Sequence, residues 1–120
     1  MELGMIGLGK MGGNMTRRLL QGGHRMVVYA RHAEVVAELV QEGATGAASL
    51  AELVGQLASP RAVWSMVPAG DATEDTLHQL MALLAAGDTV IDGGNSNYKD
   101  SQRRAIMLKE RGLNVSIQKL

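Results

Sequence analysis

Gly7-Leu8-Gly9-Lys10-Met11-Gly12 decides the fold of this 120-residue chain. The six residues fit G-x-G-x-x-G, a pattern that a glycine-rich sequence can also produce by chance, so the surroundings give it its weight. Leu3-Gly4-Met5-Ile6 reads as a strand leading into the glycines. Met11, Met15 and Leu19 are spaced by four, which makes one stripe of a helix leading out of them. Arg25-Met26-Val27-Val28-Tyr29 reads as a second strand, beginning 18 residues after Gly7. In that strand–loop–helix–strand setting each glycine has a separate role. Gly7 permits the tight turn, Gly9 lets backbone approach a pyrophosphate, and Gly12 lets the helix pack against the strand. The helix then offers unpaired N–H groups and a partial positive charge to an anion. Lys10 either holds phosphate or stands solvated in the loop, and the solvated reading is favoured. Arg17 and Arg18 lie opposite the methionine stripe and are expected to face solvent.

Outward from this unit the same rhythm repeats. Gly22, Gly43, Gly87 and Gly112 each follow a helical segment and are expected to close it in the left-handed conformation. Strands are expected at residues 3–7, 25–29, 45–47, 61–67, 88–92 and 113–117. Several are continuous apolar runs, as in parallel strands buried on both faces. Between them, Val35, Val36, Leu39 and Val40 form one helical stripe, and Leu77, Leu80, Met81 and Leu84 another. Ser49 with Glu52, and less strictly Asp71 with Glu74, have capping-box spacing. Pro60 and Pro68 bracket the fourth strand, where proline is tolerated. The expected fold is a doubly wound α/β sheet of the Rossmann type, parallel, with about six strands and right-handed crossovers.

Ligands bind such sheets at the carboxyl ends of the strands. The second strand ends in Ala30-Arg31-His32. A fold that binds NAD usually places an acid here to hold the ribose hydroxyls. Ala30 does not supply one, and Arg31 offers planar paired donors that suit a 2′-phosphate. His32 either adds a donor or is an exposed loop histidine. After the fourth strand come Val67-Pro68-Ala69-Gly70, either a plain strand terminator or small residues that leave room for a ring. After the fifth come Asp92-Gly93-Gly94-Asn95-Ser96-Asn97-Tyr98. The two glycines allow backbone approach there, and the Asn95 amide carries both donor and acceptor. A glycine turn feeding an N-cap accounts for the same residues.

Composition narrows the function. Hydrophobic residues make up 46% of the chain and charged residues 20%, which supports a packed core. The 15 glycines are about twice the usual share. With one Trp, two Tyr and no Phe, stacking platforms for single-stranded nucleic acid are not expected. With no Cys, thiol catalysis, disulfides and cysteine-based metal sites are excluded, and three scattered His do not suggest a metal centre. The net charge is zero, yet residues 1–31 hold five bases and one acid, whereas residues 32–92 hold one base and nine acids. Solvated helix faces explain this; an anionic ligand at the first block explains it too. Met1-Glu2 leads straight into a strand, no run is long enough to span a membrane, and a cytoplasmic protein is expected.

Gly7 to Met15, then Gly22-Gly23-His24, then the Arg31 strand end resemble the N-terminus of the β-hydroxyacid dehydrogenase superfamily. Within it, Asp92-Gly93-Gly94-Asn95-Ser96-Asn97-Tyr98-Lys99-Asp100-Ser101 resembles the 6-phosphogluconate dehydrogenase family, closest to its shorter bacterial form. The resemblance covers residues 1 to about 113. It implies oxidation and decarboxylation of 6-phosphogluconate to ribulose 5-phosphate, in the pentose phosphate pathway, with NADP or NAD. Gly7, Leu8, Gly9, Lys10, Met11 and Gly12 would hold the pyrophosphate. Ala30, Arg31 and His32 would flank the adenosine ribose, with NADP favoured. Val67, Pro68 and Ala69 would lie along the cofactor, and Asn95 would touch nicotinamide and substrate. Residues 114–120 depart from the family pattern. The family's glycine-rich substrate loop, catalytic lysine and helical domain have no counterpart in the chain, so no catalytic residue is expected here. Residues 1–120 read as one incomplete NAD(P)-binding domain, inactive alone and self-associating into a homo-oligomer. Two other readings stand beside it: the cofactor domain of a different β-hydroxyacid dehydrogenase, and a non-catalytic nucleotide-binding or interaction module.

Overall fold

The computed structural model describes residues 2–66, 71–93 and 98–117. Six strands and five helices alternate: β1 (Glu2–Ile6), α1 (Lys10–Gln21), β2 (Arg25–Tyr29), α2 (Ala33–Gln41), β3 (Thr45–Gly46), α3 (Leu50–Gly55), β4 (Ala62–Ser65), α4 (Asp71–Leu83), β5 (Thr89–Asp92), α5 (Tyr98–Glu110) and β6 (Asn114–Ile117). The strands form one sheet in the order β3-β2-β1-β4-β5-β6, and every pair is parallel. This is the expected doubly wound topology. The chain leaves β1 in one direction through β2 and β3, then returns across to β4 and onward. The switch point therefore lies between β1 and β4, where such sheets open a crevice for ligand.

Alternate strand residues feed two cores. Ile6, Val27, Val63 and Val90 point to one face, where Leu53 of α3, Leu77 and Leu80 of α4 and Leu108 of α5 cover them. Met5, Met26 and Val28 point to the other, under Met15 and Leu19 of α1 and Leu39 of α2. β1 and β2 are buried on both faces, as their apolar runs predict. β4 and β5 are not: Val63, Ser65, Val90 and Asp92 are buried, whereas Ala62, Trp64, Thr89 and Ile91 are half-buried. The reason is coverage, since α1 and α2 sit over the β1–β3 half of that face.

The helix ends obey local rules, with one correction. The left-handed residue after α1 is Gly23 (φ 86°), not Gly22, whose φ is −78°. Gly23 N–H donates to Leu20 O and His24 N–H to Leu19 O, the paired bonds of a Schellman end, which place the reversal one residue later than the first glycine. Gly43, Gly87 and Gly112 take positive φ as expected. Ser49 caps α3, its Oγ accepting from Glu52 N–H at 3.1 Å. α4 begins at Asp71, and Glu74 in its first turn pairs with Arg103 and Arg104 of α5; the Asp71 side chain, and with it the second capping box, lies outside the described residues.

One buried carboxylate ties the amino edge of the sheet together. Asp88 Oδ1 accepts from Arg61 N–H at 2.7 Å, and Oδ2 accepts from Ala85 N–H at 2.8 Å and from the Arg61 guanidinium at 3.2 Å. Burial raises the pKa of this group, but the hydrogen bonds from Arg61 and Ala85 outweigh it and hold the carboxyl below its ordinary value. A depressed folded pKa contributes stability that is present above the unfolded value and is lost as pH falls through the folded one. Asp88→Asn puts an NH2 group against N–H donors, and its expected cost at neutral pH is about 2–3 kcal/mol. Urea unfolding at pH 7 and again near pH 3 checks this: the gap between the two proteins should narrow at the acid end.

Candidate functional site

The carboxyl ends of β1, β2, β4 and β5 lie along one rim. Backbone bonds from Gly7 N–H to Tyr29 O (3.0 Å), Met66 N–H to Ile6 O (2.7 Å) and Gly93 N–H to Ser65 O (2.9 Å) carry the sheet ladder to this rim. Gly7 ends β1 with φ 89°, a conformation only glycine adopts freely. The chain then turns into α1, whose N-cap is Gly9. A Cβ added at Gly9 would meet nothing within 4 Å, so space is open above it. A Cβ added at Gly12 would land far inside van der Waals contact of the Gly7 carbonyl oxygen. Gly12 therefore lets α1 press against the end of β1, and Gly13 and Thr16 are buried along the same line. Thr16 Oγ1 closes the contact by donating to Gly12 O at 2.8 Å.

This geometry leaves the first turn of α1 aimed at the rim with its leading N–H groups outside the intrahelical ladder. No acidic residue lies in that turn, so its own side chains do not offset the positive end of the helix. Lys10 is exposed beside it. Leu8 is buried in the second core, so it can meet a ligand only through its backbone. Met11, expected to head the buried stripe, is 49% exposed. The glycines and Thr16 hold the buried face instead, because a close helix–strand approach leaves no room for a long side chain. Arg17 is corrected as well: its Nε lies 2.7 Å from Glu42 Oε2, a pairing with the end of α2 rather than with solvent alone.

At the end of β2, Ala30 is half-buried and Arg31 and His32 are exposed. His32 is the N-cap of α2 without a side-chain cap bond, and its Nδ1 lies 3.8 Å from Glu34 Oε1. Tyr29, Ala30 and Arg31 line a groove of about 410 Å³ that continues to Gly46, Ala47 and Glu52. Sequence reasoning did not find Glu52 there. In the sequence Glu52 is marked only by its capping spacing from Ser49, which says nothing of this groove.

Farther along the rim, Trp64 Nε1 donates to Met66 Sδ at 3.0 Å. A Cβ on Gly93 would collide with both groups, so this glycine makes room for the indole. Asp92 is 4% exposed and stands in register with Ser65, whose buried Oγ has no hydrogen-bond partner. Val67, Pro68, Ala69 and Asn95 lie outside the described residues. Glu74, one turn into α4, accepts from Arg104 Nε at 2.8 Å and from Arg103. The Arg103 and Arg104 hydrogen bonds hold its carboxyl below the usual range despite burial. This clamp joins the helices that follow the β4 and β5 strand ends. Among the described residues no group of three His, Asp or Glu could hold a metal, and no helix is long and apolar enough to cross a membrane.

The rim thus has features that suit a dinucleotide: a glycine turn, a helix N-terminus with no acid in its first turn, and a groove at the next strand end. Comparison with known proteins agrees. The chain is 47% identical over 105 residues to an NAD(+)-dependent, decarboxylating 6-phosphogluconate dehydrogenase of Haloferax volcanii, covering 88% of this chain and 35% of that protein. It is 40% identical over 117 residues to the decarboxylating 6-phosphogluconate dehydrogenase of Haemophilus ducreyi, covering 93% and 24%. Plasmodium falciparum 6-phosphogluconate dehydrogenase, a structure solved apo, with NADP+ and with 6-phosphogluconate, superposes with a TM-score of 0.88 at 30% identity, covering 96% of this chain and 26% of that one. The chain spans about a quarter to a third of the length of these relatives. A family model described as the NAD binding domain of 6-phosphogluconate dehydrogenase matches residues 2–116, and the chain belongs to that family.

Proposed function

We propose that this chain is the domain that holds NADP(H) for the oxidative decarboxylation of 6-phosphogluconate. The observation that carries the reading is the first turn of α1, open above Gly9, packed tight at Gly12 and free of acids. Gly7, Gly9 and Gly12 with the N–H groups of Lys10 and Met11 would receive the pyrophosphate. Leu8 would contribute backbone only. Ala30, Arg31 and His32 would take the adenosine ribose and its 2′-phosphate. Val67, Pro68 and Ala69 would lie along the cofactor, and Asn95 would orient the nicotinamide and the substrate. When bound, the nicotinamide supplies hydride acceptance; this chain's residues bind and orient. A homo-oligomer belongs to the same proposal, supported by the exposed side chains of Met11, Val40 and Ile106. So does a cytoplasmic location, on the likeness to metabolic dehydrogenases.

The preference for NADP over NAD rests on Ala30 beside Arg31. The named relatives point both ways, one NAD(+)-dependent and one solved with NADP+. Arg31 carries no ion pair among the described residues, so its donors are not committed elsewhere. A charge-assisted contact to a 2′-phosphate is worth about 1.5–3 kcal/mol, or roughly ten- to a hundred-fold in affinity. Titrating NADPH and NADH by their fluorescence tests this. Wild-type chain should favour NADPH, and Arg31→Ala should erase most of the difference with NADH little changed. Equal affinities in the wild type count against NADP.

A further inference from the structure

The groove at the carboxyl ends of β2 and β3 carries two charges that do not neutralise each other. Arg31 precedes α2 on one face of the sheet, and Glu52 stands on α3 on the other. Neither takes part in an ion pair among the described residues. The Glu52 carboxylate has only the Gln56 amide, at 3.4 Å. The rest of the lining is Tyr29 and small or apolar residues such as Ala30, Val36, Gly46 and Ala47. About 410 Å³ of open space lies along these walls, within the range of small-ligand sites. A guanidinium and a carboxylate that line one groove, neither of them in an ion pair among the described residues, can both act on a polar ligand there.

Resting on the cofactor reading above, we infer that Glu52 is a specificity-determining residue for the adenosine ribose. Ala30 removes the acid from the end of β2, and the groove brings one back from α3. A 2′-phosphate, nearly a dianion, is attracted by Arg31 and repelled by Glu52, so its net attraction is less than Arg31 alone would give. A ribose that ends in a hydroxyl loses nothing to Glu52 and gains an acceptor. The groove therefore tempers the preference for NADP and keeps NAD usable.

The test is Glu52→Gln in the 120-residue chain, titrated with NADPH and NADH beside wild type and Arg31→Ala. Glutamine fills the same capping position, so α3 keeps its start. Removing the charge should tighten NADPH about three- to ten-fold at low salt, with NADH within about two-fold or weaker. The gain should shrink in 0.5 M salt as the charges are screened. A tighter complex is a result that poor folding cannot imitate. If NADPH binding depends on Arg31 but Glu52→Gln leaves it within two-fold, the cofactor reading stands and this inference is overturned. If wild type binds neither cofactor, or NADPH binds equally well after Arg31→Ala, the ribose-corner reading fails and takes this inference with it.

Discussion

Gly12→Ala should lower stability by about 3 kcal/mol or more and abolish cofactor binding, whereas Gly9→Ala should lose binding while keeping the fold. The difference lies in what each new methyl group meets. At Gly12 the obstacle is the Gly7 carbonyl oxygen, a backbone atom at the end of β1. A flexible side chain could swing away; this oxygen cannot without shifting α1 or breaking the turn. Gly7 N–H is bonded to Tyr29 O, so moving the turn also pulls on the β1–β2 ladder. Overpacking typically costs about 1–3 kcal/mol, and a rigid obstacle places this site at the upper end or beyond. Against a total stability of about 5–15 kcal/mol that is a large share. The melting temperature should fall by roughly 10–15 °C, by interpolation for a domain of this size. At Gly9 nothing in the chain lies within 4 Å of the added methyl, and φ is −64°, which alanine adopts without strain. The methyl would fill the open space above Gly9, where the proposed pyrophosphate would come close. Thermal melts and NADPH titrations on the two variants separate these roles. A stable Gly12→Ala, or a Gly9→Ala that binds NADPH normally, would overturn the account of the loop.

What the sequence made legible follows from the range over which each signal acts. The Gly7–Gly12 turn, the six strands and the Ser49 cap depend on residues within a few positions of one another, and all were readable. Gly22 was misplaced by one residue because two glycines stood together and hydrogen bonding, not composition, chose Gly23. The stripe at Met11 misled because periodicity reports which residues share a face but not how closely that face approaches a strand. The Arg17–Glu42 pair, the Glu74 clamp to Arg103 and Arg104, and the Arg31–Glu52 groove join residues 21 to 30 positions apart. Their partners are chosen by the packing of whole helices, which no local pattern encodes. The half-open face of β4 and β5 has the same origin. Trp64 and Ile91 are apolar enough for burial, and their exposure is set by where α1 and α2 come to rest.

The chain assayed alone with saturating 6-phosphogluconate and NADP+ should form NADPH at no more than background. Oxidation needs a base to take the hydroxyl proton as hydride leaves, and decarboxylation needs an acid to return a proton to carbon. Each such group typically contributes about 10²–10⁴ in rate. Losing both from an ordinary turnover of about 10 s⁻¹ leaves at most about 0.001 s⁻¹. The sequence holds four lysines, at positions 10, 99, 109 and 119. Lys10 is exposed at the start of α1, and Lys109 lies in the last turn of α5, which leads to the amino end of β6, away from the rim. Lys99 is the second residue of α5, and Lys119 lies outside the described residues. His24 follows α1 at the amino end of β2, and His32 is the N-cap of α2, beyond the carboxyl end of β2. His78 is one turn beyond Glu74 on α4, 3.7 Å from its carboxylate. Asp92, three residues before Asn95, is buried. The Asn95 amide can orient a substrate, yet it exchanges no proton at neutral pH. Cofactor and substrate could therefore be positioned here without the proton transfers that the chemistry requires. Following absorbance of NADPH over hours, with and without substrate, measures the rate directly. A rate well above 0.001 s⁻¹ that disappears in Asn95→Ala would show that this chain carries its own acid–base groups and that the domain is more than a cofactor holder.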